Sequence, residues 1–354
     1  MKTTKIILII FSTLISPNLI QAQDCDIWLN NMATEVENRN TDEAVKMMKW
    51  FINCKGNELG VDNPIIKKLE TISYIPKFKD GISICQLNNG ESAIINEALT
   101  EIISLEKYGN SLFEVSEGFI SVVLNGKVGY IDVHGNEVIP FKYDFGGYFS
   151  EGLANVNLNG KWGYIDKTGN EFIPFQYDYT APFSNGLAMI KLNEKYGYID
   201  KSNQLIIPVK YDFGERFSEG LARVILNRKS GYIDKKGNEI VPFKYDIGYS
   251  FVDGVAQVSL NNKCGYVDKS GKEITTLKYE VCSLRFSEGL AWVSLNWKYG
   301  FVNQTGEEVI PHIYDYANNF SQGKAEVEIK NKVFSIDRTG KCITDCQNAP
   351  AGHP

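Results

Sequence analysis

The chain has 354 residues, 43% of them hydrophobic and 23% charged, a composition that builds a packed core and excludes an intrinsically disordered protein. With 37 basic against 43 acidic side chains the formal charge is −6, and no basic run interrupts it, which argues against a nucleic-acid binder. Aromatic residues reach 12%, with 19 Tyr and 19 Phe, a bias toward β structure.

Residues 1–22, MKTTKIILIIFSTLISPNLIQA, place Lys2 and Lys5 ahead of an apolar run from Ile6 to Leu14. That run is too short to span a bilayer, and the pattern predicts a secretory signal peptide cleaved after Ala22 or Gln23. Its loss removes two lysines and takes the charge from −6 to −8. No later apolar stretch is long enough to cross a membrane, so the mature chain is expected to be exported without a membrane span, to a periplasmic, cell-surface or secreted destination.

Residues 24–75 form an expected helical cap region. Over 24–55, Thr41 caps a helix with Asp42 and Glu43 in its first turn, and Ala44, Val45, Met47, Met48, Phe51 and Ile52 make an apolar stripe. Trp28, Met32 and Val36 make the facing stripe of a partner helix. An antiparallel pair brings Cys25 beside Cys54, the first candidate disulfide, and the C-x3-C pair Cys342 and Cys346 is the second. Cys85, Cys264 and Cys282 are left unassigned. Only three His are present and none lies beside a cysteine pair, so neither a metal nor a cofactor is expected.

A degenerate repeat covers 76–111, and from residue 112 a regular one begins. Lys161-Trp162-Gly163 recurs as Lys127-Val128-Gly129, Lys195-Tyr196-Gly197, Lys229-Ser230-Gly231, Lys263-Cys264-Gly265, Lys298-Tyr299-Gly300 and, worn, Lys332-Val333-Phe334. The spacing is 34 residues except for one step of 35, and seven copies fill 112–345 before a tail at 346–354. Leu153 to Leu158 alternates apolar and polar residues as a half-buried strand does. Asn159-Gly160 is a hairpin turn, Gly163-Tyr164-Ile165-Asp166 opens a second strand, and a third ends at Pro174. Each unit therefore reads as a three-stranded meander followed by a loop.

The K-W-G-Y-I-D-x-x-G pattern resembles the WG (or KWG) repeat of bacterial proteins. That family is β-rich, varies in copy number and mostly lacks an assigned activity, so the resemblance implies a β-repeat scaffold and no catalytic residue. Only Trp162-Gly163 spells the motif here, and Phe334 replaces the last Gly, implying a weaker aromatic platform and a worn C-terminal cap. The expected fold is all-β: about seven 34-residue three-stranded meander units plus one degenerate unit, with a small N-terminal helical hairpin. An open twisted solenoid is favoured, with a seven-bladed propeller-like ring as the alternative.

Asp132, Asp166, Asp200, Asp234, Asp268 and Asp337 share one repeat position with Asn303, which identifies a turn-initiating side chain rather than a calcium ligand. The recurring Tyr-Asp, as in Tyr177-Asp178, reads as a bridge between neighbouring units. Recognition belongs to the positions that vary. Ser121, Asn155, Met189, Arg223, Gln257, Trp292 and Glu326 occupy one slot of the first strand, which alternation puts on the face opposite the core. The candidate binding surface comprises Trp292, Trp297, Tyr299, Arg223, Met189, Trp162 and Tyr196, and Arg216, Arg223 and Arg228 form a local basic departure. His134, His312 and His353 sit in turn, loop and tail, no nucleophile motif is present, and no catalytic residue is expected. The reading is an exported repeat scaffold that presents an extended β surface to an envelope protein or polysaccharide. The alternatives are a glycan-active hydrolase on a repeat scaffold and an envelope spacer without a dedicated ligand.

Overall fold

The computed structural model describes residues 45–46, 48–49, 69, 71–98, 102–109 and 114–349. The expected signal peptide, most of the helical hairpin and the Cys25–Cys54 pair lie outside them. Within them the chain is all-β and folds into eight antiparallel sheets that follow one another in chain order, none closed into a barrel. The chain divides into two compact units, 1–160 with 164–172 and 161–163 with 173–354, the division falling within the third sheet.

The fourth sheet shows how a copy folds. Its strands are Tyr179–Thr180, Leu187–Leu192, Lys195–Asp200 and Leu205–Tyr211. Leu192 pairs with Lys195 across Asn193 and Glu194, whose φ of 50° and 64° match the twist of a two-residue hairpin. Asp200 then turns the chain: its Oδ1 accepts from the Gln204 N–H at 2.8 Å and the Ser202 hydroxyl at 2.7 Å. Asn303 makes the same turn in the sixth copy, accepting from the N–H groups of Thr305 and Glu307. An amide oxygen suffices, so this recurring carboxylate serves an Asx-turn. The meander expected from the sequence is joined by the short lead strand Tyr179–Thr180, which runs antiparallel to Leu187–Leu192 in the segment expected to be a loop.

The glycine of each K-x-G marks a close approach of backbones. The third strand shifts register opposite Gly197, between Tyr211 and Ile207, and a Cβ on Gly197 would lie 2.7 Å from the Ile207 carbonyl oxygen. At Gly163 the same oxygen, from Ile173, would be 2.6 Å away. In the last copy the third strand shrinks to Cys342–Thr344 and loses its proline, so Phe334 fits there, buried beside Tyr314 and Phe320.

Successive sheets of the second unit pack face to face. Leu187, Met189, Tyr198 and Ile207 of the fourth sheet share a core with Phe217, Ala222, Val224 and Ile233 of the fifth. Tyr198 donates its hydroxyl to the Glu215 carbonyl at 2.6 Å and its ring lies 5.1 Å from Phe217; Tyr232 repeats this with Tyr249 and Phe251. Ser218 donates to the Phe251 carbonyl at 3.0 Å and the Glu219 carboxylate caps the Gly254 N–H at 2.9 Å, each one copy ahead. In the first unit Ser116 and Glu117 make the same bonds to Phe149 and Gly152. Full burial of a ring such as Phe251 stabilises by about 1.5–3 kcal/mol, and the hydrogen bonds fix which sheet follows which.

The sixth sheet, 247–268, keeps only three strands. Thr275-Thr276 stand where the preceding copy has Val241-Pro242, and the Thr275 hydroxyl takes the Tyr266 N–H at 3.0 Å. A side chain thus replaces a ladder carbonyl and the fourth strand is lost. Next to this break Cys264 and Cys282 form a disulfide to the seventh sheet. Cys342 and Cys346 form another, and Cys85 is a free, buried thiol whose pKa burial pushes up to about 12. Disulfides are the chemistry of an oxidising compartment, consistent with an extracellular or periplasmic protein. Among the described residues no helix is long and apolar enough to cross a membrane.

Candidate functional site

The variable slot is not on an open face wherever another sheet follows within the stack. Met189 is only 8% exposed because the lead segment of the fifth sheet lies across it, with Gly214 so close that a Cβ would meet the Met189 sulfur at 3.4 Å. Asn155 and Gln257 are buried too, Arg223 and Trp292 are half-buried, and Glu326 is exposed in the last sheet. Both faces of a stacked sheet are interior, so alternation alone does not locate solvent.

Exposure moves instead to the lead strands. Phe145, Tyr179, Phe213, Ile247, Val281 and Tyr316 each follow the recurring Tyr-Asp or Tyr-Glu and open a lead strand. All of them are exposed except Phe213, which is half-buried; Tyr179 and Tyr316 stand 41% and 49% open. Tyr179, Phe213 and Tyr316 pack on the middle residue of the K-x-G seventeen positions earlier. Ring centroids lie 5.7 Å apart for Trp162 and Tyr179, 5.6 Å for Tyr196 and Phe213, and 5.9 Å for Tyr299 and Tyr316. Trp292 joins the last pair, 5.5 Å from Tyr299. The second unit thus carries tilted or edge-on ring pairs in equivalent places on the third, fourth and seventh sheets.

Between the fourth sheet and the lead strand of the fifth, a cleft of about 340 Å³ gathers Tyr179, Tyr196 and Phe213 with Met189 on its apolar side and Glu215 and Arg216 as its charged part. Arg223 ion-pairs with Glu215 through Nη2 and holds its guanidinium 5.1 Å from the Phe213 centroid, while the other Glu215 oxygen accepts from Ser250 at 2.6 Å. Met189, Tyr196 and Arg223 are therefore brought together, as are Trp292 and Tyr299. Trp162 belongs to the neighbouring ring pair. Trp297 projects from a hairpin turn, 73% exposed, at a φ of 60°.

Flanking the rings runs a row of ion pairs. Lys161 reaches Asp178 at 2.6 Å, Lys195 reaches Asp212 and Lys229 reaches Asp246 at 2.5 Å, and Lys263 reaches Glu280 at 2.7 Å. The Lys161 ammonium holds the Asp178 carboxyl below its usual range, and the second Asp178 oxygen caps the Asn193 N–H at 2.8 Å. Among the described residues no group of three or more His, Cys, Asp or Glu side chains could hold a metal ion.

The model of the WG containing repeat matches this chain six times, over residues 129–162, 162–196, 196–229, 231–264, 265–299 and 299–332. The chain belongs to the WG-repeat family. No curated protein matches it. Among solved structures, a eukaryotic initiation factor is similar at 10% identity and a TM-score of 0.47, over 74% of this chain and 84% of that one. Hsv2p of Kluyveromyces lactis is similar at 8% identity and 0.34, over 64% and 92%. PorZ, a bacterial surface component of the type-IX secretion system of Porphyromonas gingivalis, is similar at 8% identity and 0.32, over 77% of this chain and 46% of that one.

In this WG-repeat protein the residues that define the repeat are spent on folding. Lys and Asp pair with each other, Gly makes room for a backbone, Tyr bridges to the next sheet, and the turn carboxylate caps its own loop. The variable middle residue of K-x-G and the residue after Tyr-Asp are not spent in this way and form the ring pairs. Trp162, Tyr196 and Tyr299, candidates from the sequence, occupy the first of these positions, and Tyr179, Phe213 and Tyr316, which are not among those candidates, occupy the second. A signal was present: an apolar residue recurs at that place in a segment otherwise expected to be a loop.

Proposed function

We propose that this WG-repeat protein is an exported, non-enzymatic binding scaffold that holds a polysaccharide of the cell envelope on the aromatic row of its second unit. The observation that carries the reading is the ring pair at equivalent places, Trp162–Tyr179, Tyr196–Phe213 and Tyr299–Tyr316. Open rings offer an apolar face with polar groups beside it, and repetition of the pair suits a polymer whose units also repeat. Export is supported by the charged and apolar pattern of residues 1–22 and by the disulfides. A catalytic role is disfavoured because the recurring carboxylates hold turns and lysines.

The test is capture of fractionated envelope polysaccharides by the tagged mature protein, beside the double variant Tyr196→Ala with Tyr299→Ala. Retention of one polysaccharide fraction, lost in the double variant, is expected. Selective retention of a protein would replace the ligand class, and retention of nothing by the folded wild type would leave a spacer.

A further inference from the structure

Resting on the polysaccharide reading, we infer that the cleft of the fourth sheet seats one neutral pyranose of the polymer, its C–H face on the rings and its hydroxyls on those of Tyr179 and Tyr196. The cleft, at about 340 Å³, is at the small end of ligand sites, which suits one sugar unit rather than a long segment. Small residues keep it open. Ala181 and Gly214 line it, and a Cβ on Gly214 would lie 3.4 Å from both the Met189 sulfur and the Tyr196 Cβ. Its apolar side is made of three rings and a thioether, surfaces that accept the C–H face of a pyranose.

The polar groups then decide which sugar. Both charged side chains of the lining are engaged within the chain. One Glu215 oxygen pairs with Arg223, the other accepts from Ser250, and Arg216 has an interaction of its own. Lys191 and Lys195, on the same sheet, pair with Glu194 and Asp212. An acidic sugar would have to displace one of these contacts to gain a counter-charge, leaving the displaced group unmatched. The phenol hydroxyls are different. Among the described residues those of Tyr179 and Tyr196 have no hydrogen-bond partner, whereas Tyr198 of the same sheet donates to the Glu215 carbonyl at 2.6 Å. Each phenol donates one hydrogen bond and accepts others, which matches a sugar hydroxyl. A neutral pyranose uses the rings and the hydroxyls together and asks for no charge.

Affinity electrophoresis of the mature protein tests this, through gels containing neutral hydroxyethyl cellulose, galactomannan or dextran, or acidic carboxymethyl cellulose or polygalacturonate. The double variant Tyr179→Phe with Tyr196→Phe keeps both rings and removes both hydroxyls. Neither hydroxyl holds the fold, so the variant should fold, and an unchanged melting temperature verifies it. Expected is retardation by at least one neutral polymer and by neither acidic one, weakened about tenfold in the double variant and unchanged by about 1 M salt. Retardation by the acidic polymers alone, or equally by both kinds, overturns the neutral preference and leaves the polysaccharide reading standing. Retardation by a neutral polymer that the double variant does not weaken overturns the site. Retardation by none of the five overturns the inference, and capture of a polysaccharide in the preceding experiment would still preserve the broader reading.

Discussion

Cys264 is joined to Cys282, with Cα atoms 6.1 Å apart, at the place where Trp162 and Tyr196 meet the next lead strand in earlier copies. The bond ties the sixth sheet to the seventh beside the missing fourth strand. A closed loop of this size, 18 residues, restricts the unfolded chain by about 3 kcal/mol. In the double variant Cys264→Ser with Cys282→Ser, amides of 271–282 should exchange faster with solvent, while those of the fourth sheet keep their protection. Uniform protection in the variant would show that the broken sheet does not need the bond.

Gly197 should tolerate no side chain. Its φ is ordinary, so the cost comes from the third strand alone: the Cβ of Gly197→Ala would sit 2.7 Å from the Ile207 oxygen. Backbone cannot give way as a flexible side chain does, and a loss of about 1–3 kcal/mol is expected in chemical denaturation. Alanine at Gly186, where nothing lies within 4 Å of the added Cβ, provides the contrast: there only the positive φ of 83° opposes it.

The turn carboxylates give a sharper comparison. Asp234 accepts from the Lys236 and Asn238 N–H groups at 2.9 and 2.8 Å, and Asn303 does the same in its own copy. Asp234→Asn is therefore expected to be near neutral and Asp234→Ala to cost about 1 kcal/mol. Equal losses in thermal melts would mean that charge, not the turn, is what the position supplies.

Much of this fold was legible from one chain because the repeat exposes its own logic. Asn303 in place of an Asp identified the turn, and the period located the meanders. Two features were not legible, for a physical reason in each case. A lead strand such as Tyr179–Thr180 is two residues long, too short for any periodicity to register. The covering of Met189 arises from stacking one sheet on the next, which lies outside the strand that alternation describes. Cys264 and Cys282 fell between these cases. Their partnership follows from superposing copies, since Cys264 aligns with Trp162, which meets Tyr179 one residue before the position aligned with Cys282.

His312 replaces the phenylalanine that Phe243 represents in an earlier copy. Its ring stacks 5.7 Å from Tyr279, Nδ1 lies 3.6 Å from Glu308, and Nε2 is buried without a hydrogen-bond partner. Burial lowers its pKa, with Lys278 in the same direction and Glu308 and Glu280 opposing. The unfolded state then binds the proton more readily, so this stability is fully present above about pH 6.5 and is lost as pH falls below it, through the folded pKa. His312→Phe should remove that part of the acid sensitivity in melts from pH 7 to pH 5. An unchanged pH slope would assign the sensitivity to other groups.

Trp297 occupies a hairpin position filled by Gly126 and Gly160 in earlier copies, with Asn296 before it, both at positive φ. Left-handed backbone costs a bulky residue about 1 kcal/mol, and 73% exposure returns little burial in exchange. Trp297→Gly should therefore raise the melting temperature. Such local strain clusters at functional sites, and under the proposed polysaccharide reading the exposed indole, two residues before Tyr299, adds to the aromatic row. The variant is accordingly expected to gain stability and to lose part of the polysaccharide retention in the same preparation. A gain in stability with full retention would assign the indole no part in binding.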